Sequence, residues 1–184
     1  NHLTSLPAST SVTDAAGAPS VGRITIGLPE LNHAPAIADG VAAVSEEGLP
    51  HGLPDASGTP TDTGDEKTTS GTLAIADPDS GDTHTVTLVK PADDALTSQG
   101  KPVVWALSDG DHTLTGTVDG VPVITVTITD AGAYDVTLSG QIDHPDHGTL
   151  GHGVEDVLAL GIGVQVADNP GGPSGRALPI NLDD

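Results

Sequence analysis

The chain is 184 residues long, which is enough for one domain of ordinary size, or for one domain plus an appendage. Its 26 acidic and 5 basic side chains give a formal charge of −21, so nucleic acid and anionic membranes are poor partners and divalent cations are good ones. Because it has no Cys, Phe or Met but 24 Gly and 15 Pro, disulfides and long helices are excluded, and the core must consist mainly of Val, Ile, Leu and Ala.

Residues 1–32 carry little pattern. They are rich in Ser, Thr, Ala, Pro and Gly, which predicts a linker or the tail of a preceding domain. A short apolar alternation at 23–26 predicts one strand within this stretch. Strand signals begin at residue 33: 41–44 predicts a first short strand, and the Pro and Gly residues of 49–67 predict a loop. We therefore divide the chain into 1–32 and a β-domain at 33–184.

Alternation of apolar and polar residues with period two runs through the rest of the β-domain. Ile124, Val126 and Ile128 alternate with threonines, as in a strand with one face on a core and the other in water. Asp119-Gly120 lies between two such runs and predicts a tight hairpin turn. The strands predicted after the first are 72–75, 83–89, 102–107, 112–118, 121–129, 134–138, 158–166 and 178–182.

These eight or nine strands with turns between them predict an all-β fold, specifically a β-sandwich. Trp105 lies within an apolar run, which favours a core position over an exposed position where it could stack on a sugar ring. No apolar run in the sequence is long enough for a transmembrane helix, so direct membrane insertion is not expected.

Acidic residues are concentrated in the turns between the predicted strands. Calcium binds several oxygen ligands at flexible geometry, and alternate carboxylates such as Asp77, Asp79 and Asp82 beside a Gly supply several from one loop. Asp is also an ordinary turn residue, which leaves a purely structural role open for any single loop. For the whole set, in a chain without Cys, we predict calcium as the cofactor. The other acidic turn positions are Glu46, Glu47, Asp109, Asp111, Asp143, Asp146, Glu155, Asp156, Asp168, Asp183 and Asp184.

The last two of these carboxylates form a special case. Asp183 and Asp184 look like half of a metal site, and we expect a following domain to supply the other half. Glu46 and Glu47 would be the corresponding half at the start of the β-domain. A frayed acidic tail is the alternative interpretation of Asp183 and Asp184.

A second polar cluster contains histidines. Asp143, His144, Asp146 and His147 are followed by His152, and such clusters can bind zinc or act as acid–base pairs. The segment is rich in Gly and has no framing strand or helix, so we favour a structural loop or a calcium ligand from Asp143 or Asp146. The sequence has no nucleophile elbow and no phosphate-binding loop, and we predict that the protein is not an enzyme.

The order and spacing of several segments carry a family resemblance across residues 33–184. Together they resemble the repeats of large bacterial RTX adhesins exported by type I secretion, which are related to VCBS and cadherin-like repeats and to bacterial Ig-like domains. Each segment is short, and the resemblance lies in their combination. The segments are Val44-Ser45-Glu46-Glu47-Gly48-Leu49-Pro50, Ser70-Gly71-Thr72-Leu73, Asp77-Pro78-Asp79-Ser80-Gly81-Asp82-Thr83-His84, Val121-Pro122-Val123-Ile124-Thr125-Val126, Gly132-Ala133-Tyr134-Asp135-Val136-Thr137-Leu138, Asp143-His144-Pro145 and Val164-Gln165-Val166-Ala167-Asp168-Asn169.

The resemblance implies an immunoglobulin- or cadherin-like sandwich of about eight or nine antiparallel strands with calcium ions at its ends. The loop 168–172 departs from the usual Asp-Gly-Gly form, and residues 1–32 match nothing in these repeats. Carried over by position, the calcium ligands would be Glu46, Glu47, Asp77, Asp79, Asp82, Asp168, Asp183 and Asp184; Asp109, Asp111 and Asp143 are further candidates from their place in acidic turns.

The function that the resemblance implies is that of an extracellular module on the bacterial cell surface. The module would extend a large adhesin and join neighbouring repeats of the same polypeptide through calcium-bridged junctions, for attachment to cells or surfaces. The alternative is a module that itself binds a peptide or glycan, for which the long loops 49–67 and 143–156 are the expected location.

Overall fold

The structure, a computed structural model, describes residues 5–27, 32–52, 66–79, 83–91, 96–144, 157–168 and 173–183. The chain divides into two compact units, Asn1–His33 and Ala34–Asp184. Both are built from β-strands, so the all-β prediction is confirmed. In the part of the chain that is described, no helix is long and apolar enough to cross a membrane.

The first unit contains an antiparallel hairpin of β1 (Ser5–Thr13) and β2 (Pro19–Gly27). Its turn is closed by the Asp14 carboxylate, whose Oδ1 accepts hydrogen bonds from the amides of Ala16 and Ala18, both at 2.9 Å. Gly17 in the same turn has a φ of +82°, a conformation that favours glycine. The alternation at 23–26 lies in β2, whereas β1 is too rich in Ser and Thr to show an apolar alternation.

Within its described residues, the second unit contains thirteen strands and one short 3₁₀ turn, Glu46–Gly48. Two sheets contain nine of these strands, and the remaining four form two short pairs. The strands are β3 (Ala36–Ile37), β4 (Ala42–Ser45), β5 (Thr68–Thr72), β6 (Ile75–Ala76), β7 (His84–Val89), β8 (Thr97–Ser98), β9 (Lys101–Pro102), β10 (Val104–Ser108), β11 (Thr113–Val118), β12 (Val121–Ile128), β13 (Ala133–Leu138), β14 (Val157–Asp168) and β15 (Ser174–Asp183).

The two larger sheets have the orders β10-β11-β12-β13-β5 and β4-β15-β14-β7. Most neighbours pair in antiparallel fashion, but β4 and β15 are parallel, which differs from the all-antiparallel expectation. Parallel pairing needs a long connection, and here almost the whole domain lies between the two strands. The Asp119-Gly120 hairpin turn between β11 and β12 is confirmed, with φ of +52° and +80° at the two residues.

The core lies between the inward faces of the two sheets. In both sheets, alternate residues along the strands bury their side chains in one hydrophobic cluster, as the alternation predicts for a sandwich. Trp105 is buried within it, which confirms the predicted core position, and the Tyr134 hydroxyl donates to the backbone oxygen of Val41 at 3.1 Å. The fully enclosed side chains include Val86, Leu114, Ile124, Val126, Val136, Leu138, Ile162, Val166, Ile180 and Leu182.

One predicted strand is interrupted. The sequence predicts a strand at 72–75, but the chain leaves β5 after Thr72 and pairs again, with β3, only from Ile75. Between them the amide of Leu73 donates to the backbone oxygen of Gly132, and the Leu73 side chain is buried. This contact with the β12–β13 turn bends the chain, and alternation alone does not reveal it.

Candidate functional site

Acidic side chains lie at both ends of the sandwich. Asp168 ends β14, and Asp183 lies near the end of the antiparallel strand β15, so the two residues are at opposite ends. At roughly 3.3 Å per residue, the twelve residues of β14 separate these ends by about 36 Å. We call them the Asp168 end and the Asp183 end.

At the Asp183 end, β4 and β15 bring three predicted ligands into one region. Asp183 is the Cα partner of Ser45, and Glu46 and Glu47 follow Ser45 directly in the 3₁₀ turn. The Ser45 hydroxyl caps this turn by accepting from the amide of Glu47 at 3.0 Å. Because β4 and β15 are parallel, Glu46, Glu47 and Asp183 lie at the same end. The expectation that they form matching half-sites at the start and finish of the domain is therefore wrong.

The Glu46 carboxylate also contacts the segment that contains the predicted histidine cluster. Its Oε1 accepts a hydrogen bond from the amide of Ile142 and lies 3.7 Å from Nε2 of His144. The His144 side chain is almost completely buried. His144 is therefore a packed residue of the Asp183 end, whereas His147 and His152 lie outside the described residues.

Asp143 closes a local turn. Its Oδ2 accepts from the amide of Gly100 at 2.8 Å, and its own amide donates to the backbone oxygen of Thr97. Burial opposes ionisation of this carboxyl, but hydrogen bonds from Gly100, Thr97 and Gln99 outweigh burial and lower the pKa of Asp143. Asp143 therefore has a structural role in this turn, and its role as a calcium ligand stays a prediction.

At the Asp168 end, the β3–β6 pair brings Asp77 close to the end of β14. The Ser174 hydroxyl, at the start of β15, donates to the backbone oxygen of Pro35, which precedes β3. β6 pairs with β3, and Asp77 follows β6 directly. Oδ1 of Asp77 accepts from the amide of Asp79 at 2.9 Å, which folds the acidic loop into a compact turn.

Three carboxylates at these ends are strongly buried. The exposed fraction is 2% for Asp183, 6% for Asp168 and 8% for Asp79. The second carboxylate oxygen of Asp77, Oδ2, is also buried and has no hydrogen-bond partner among the residues that the structure describes. A buried carboxylate is costly unless hydrogen bonds or a cation compensate its charge. Carboxylate oxygens are the ligands that calcium prefers, so the chemistry of these residues fits calcium.

The predicted acidic turn between β10 and β11 has an evident structural role. Asp109 and Asp111 are exposed and adopt left-handed φ values of 53° and 66°. The backbone oxygen of Asp111 accepts from the amide of Leu88 in β7, at 2.8 Å, and so links the two sheets. Calcium binding by the Asp109 and Asp111 side chains stays a prediction.

Sequence reasoning missed Asp130, which joins the same two sheets. This residue follows β12, and its Oδ1 accepts from the amide of Val86 at 2.9 Å and lies 3.2 Å from Nε2 of His112. The backbone oxygen of Asp130 lies 2.9 Å from Nε2 of His84. The only available signal was an acidic residue in the turn 129–132, and that signal does not identify its partners.

Both ring nitrogens of His112 face acceptors. Nδ1 lies 3.0 Å from the backbone oxygen of Asp109, and Nε2 faces the carboxylate of Asp130. Only the protonated imidazolium donates from both nitrogens. The hydrogen bond with Asp130 and then the one with Asp109 raise the pKa of His112. The hydrogen bond from Val86 and then the one from His112 lower the pKa of Asp130.

The contribution of this contact to stability is expected to depend on pH. A raised His pKa stabilises the fold fully below the unfolded value of about 6.5, and this contribution is lost as the pH rises through the folded value. The lowered pKa of Asp130 stabilises the fold above about 3.9, and this contribution is lost as the pH falls through the folded value. The contact is therefore strongest in mildly acidic solution.

We expect His112→Gln to cost more stability at about pH 5.5 than at about pH 8.5. The cost should stay below about 1 kcal/mol, because both side chains are partly exposed. Urea unfolding of wild type and variant at the two pH values, in chelator, measures this difference. An equal cost at both pH values would contradict the imidazolium assignment.

The remaining predicted site residues lie outside the described residues: Asp82, Asp146, Glu155, Asp156 and Asp184. Within the described ranges, no group of three or more His, Asp or Glu side chains is close enough together to hold a metal ion by itself. The described carboxylates of each end would thus need further oxygens, which backbone carbonyls, water or residues outside these ranges supply in calcium sites generally.

The sequence matches no protein-family model. A search of curated proteins also finds no match. The functional argument therefore depends on the residues and their geometry.

Proposed function

We propose that this protein is a calcium-stiffened extender module of a large bacterial surface adhesin. In this proposal Asp77, Asp79 and Asp168 hold calcium at one end of the sandwich, and Glu47 and Asp183 hold it at the other. Glu46 contributes by positioning the segment that contains Ile142. In this proposal the module catalyses no reaction. Its function is to hold other parts of the adhesin at a fixed distance from one another.

The observation that carries the proposal is the burial of carboxylates at both ends of a strongly acidic sandwich. Asp168 and Asp183 are almost completely buried, in a chain with 26 acidic and 5 basic side chains. So few basic residues cannot neutralise the acidic ones. Cations at the two ends, about 36 Å apart, would stabilise the folded form and stiffen the places where neighbouring modules meet.

Calcium, when bound, supplies positive charge that offsets the repulsion among these carboxylates. The residues of the chain determine where that charge is held. The turn between Asp77 and Asp79 fixes one carboxylate through its hydrogen bond, and the capped 3₁₀ turn fixes Glu47 beside Asp183. In low calcium the same repulsion disfavours the compact state, which suits a protein that is exported unfolded.

Thermal unfolding with calcium and with chelator tests the proposal. A ligand present at about a hundred times its dissociation constant stabilises the folded state by about 2.7 kcal/mol, so millimolar calcium should raise the unfolding midpoint by several degrees. Magnesium at the same concentration is the control for general screening and should give a much smaller shift. An unchanged midpoint in calcium would refute the extender proposal.

A further inference from the structure

The β1–β2 hairpin has an exposed apolar face. Val12, Ile24 and Ile26 are 70%, 51% and 47% exposed, and the strand register places them on one side of the ribbon. Both outer edges of the hairpin are also without a strand partner among the described residues. An isolated two-stranded hairpin is marginally stable in water, so this face and these edges favour a partner.

A similar sequence pattern occurs a second time in the chain, in β14–β15. When 154 is added to each residue number, 6–27 aligns with 160–181 without a gap. The aligned segments share residues of the turn and apolar residues of the strands. The identical pairs are Leu6 and Leu160, Val12 and Val166, Asp14 and Asp168, Gly17 and Gly171, Pro19 and Pro173, Ser20 and Ser174, and Ile26 and Ile180.

The strand register is repeated too. The pairs Ser5↔Gly27 to Val12↔Ser20 of the first hairpin become Ala159↔Asn181 to Val166↔Ser174 of the second when the same 154 is added. A slip of one residue would move every side chain to the opposite face, so a shared register means a shared pattern of inward and outward positions.

The two hairpins differ in what covers them. Val166, Leu178 and Ile180, the equivalents of Val12, Ile24 and Ile26, are completely buried in the core of the sandwich. The outer edge of β14 pairs with β7, and the outer edge of β15 pairs with β4. The apolar face and both edges that the first hairpin exposes are thus covered in the second one.

We infer that β1–β2 is the closing hairpin of a second sandwich of the same fold. Its partner is a unit equivalent to residues 34–156, which supplies a five-stranded sheet for the apolar face and two strands for the edges. Asp14 and Arg23 cancel each other within 5–27, so this hairpin does not repel an acidic partner. The inference deepens the proposed function by defining the neighbouring module, but it rests on register and does not require calcium.

The test adds a copy of residues 34–156 directly before residue 3 of the full chain. Residue 3 then follows residue 156 of the added copy, just as residue 157 follows residue 156 in the original domain. Hydrogen exchange measured by mass spectrometry compares residues 5–27 in the 184-residue chain and in the extended chain. In the 184-residue chain these amides should exchange rapidly. In the extended chain their exchange should slow by about a hundredfold or more.

Two side chains make this added sandwich less well packed than the original. Ala8 and Thr10 occupy the positions of Ile162 and Val164, which leaves space in the core. A second extended chain therefore carries Ala8→Ile and Thr10→Val, and its hairpin should be protected even where the first is only partly protected. Both chains are measured with calcium and with chelator, which separates this inference from the calcium proposal.

Matched substitutions in the extended chain show which face is covered. Ile24→Asp should abolish the protection of the hairpin, whereas Thr25→Asp, on the opposite face, should preserve it. Lack of protection in both extended chains would overturn the inference. Slow exchange already in the 184-residue chain would overturn it as well, because the hairpin would then be protected without the added unit.

Discussion

Replacing Asp77 with Asn is expected to weaken calcium binding at least about tenfold and to lower stability in calcium by about 1.4 kcal/mol. The amide side chain keeps Oδ1 as the acceptor for the Asp79 amide, so the turn itself should persist. The substitution replaces Oδ2, which is buried and has no hydrogen-bond partner within the described ranges, by a neutral group that cannot bind calcium. In chelator the variant should be as stable as wild type or slightly more stable, because a buried negative charge is removed.

The matched control for this substitution is Asp135→Asn. It removes one negative charge as well, but Asp135 is exposed on the outer face of the five-stranded sheet, between Thr127 and Ser70. Calcium titration by calorimetry and thermal unfolding should show no change in this control. If Asp77→Asn and Asp135→Asn behave alike in calcium, Asp77 is not a ligand and the Asp168 end must be reassigned.

Gly132→Ala is expected to destabilise the fold by roughly 3 kcal/mol. Gly132 has a φ of +80°, and a Cβ at this position would lie 2.3 Å from the backbone oxygen of Leu73. The same oxygen cannot move freely, because the Leu73 amide donates to the backbone oxygen of Gly132 and the Leu73 side chain is buried. The turn would have to separate from the segment between β5 and β6, which precedes the acidic loop.

Gly120→Ala separates the conformational cost of a positive φ from the cost of the close contact with Leu73. Gly120 also has a φ of +80°, but a Cβ there would meet nothing within 4 Å. Only the conformational cost of about 1 kcal/mol is expected. Urea unfolding of both variants measures the difference. Equal losses would show that the close approach to Leu73 does not contribute, and that the β12–β13 turn is free to relax.

The hairpin β11–β12 and the strands around it could be predicted from sequence because their signals are local. Apolar alternation through Ile124, Val126 and Ile128 fixes which side chains face the core, and Asp119-Gly120 supplies the two left-handed residues of the turn. The strand β1 gave no such signal. Its Ser and Thr residues at 9–13 are exposed and interrupt any apolar alternation, and its pairing emerged only from its register with β2.

The candidate site could likewise be predicted only in part from the sequence. The sequence predicted acidic turns, but turn position does not determine which turns share an end, and the parallel β4–β15 pair decided that Glu46 and Glu47 lie beside Asp183. Asp130 was missed because its partners, Val86 and His112, are distant in sequence. Such contacts depend on how the two sheets stack.

The sequence by itself determined the all-β class, the apolar core and the concentration of charge in turns, because composition and period two act residue by residue along a strand. Tertiary structure alone decided which carboxylates become buried, which strand crosses over to pair in parallel, and where Leu73 leaves its sheet. These features depend on contacts between segments far apart in the chain. Such contacts contribute free energy of stabilisation only when the two sheets have closed over a common core.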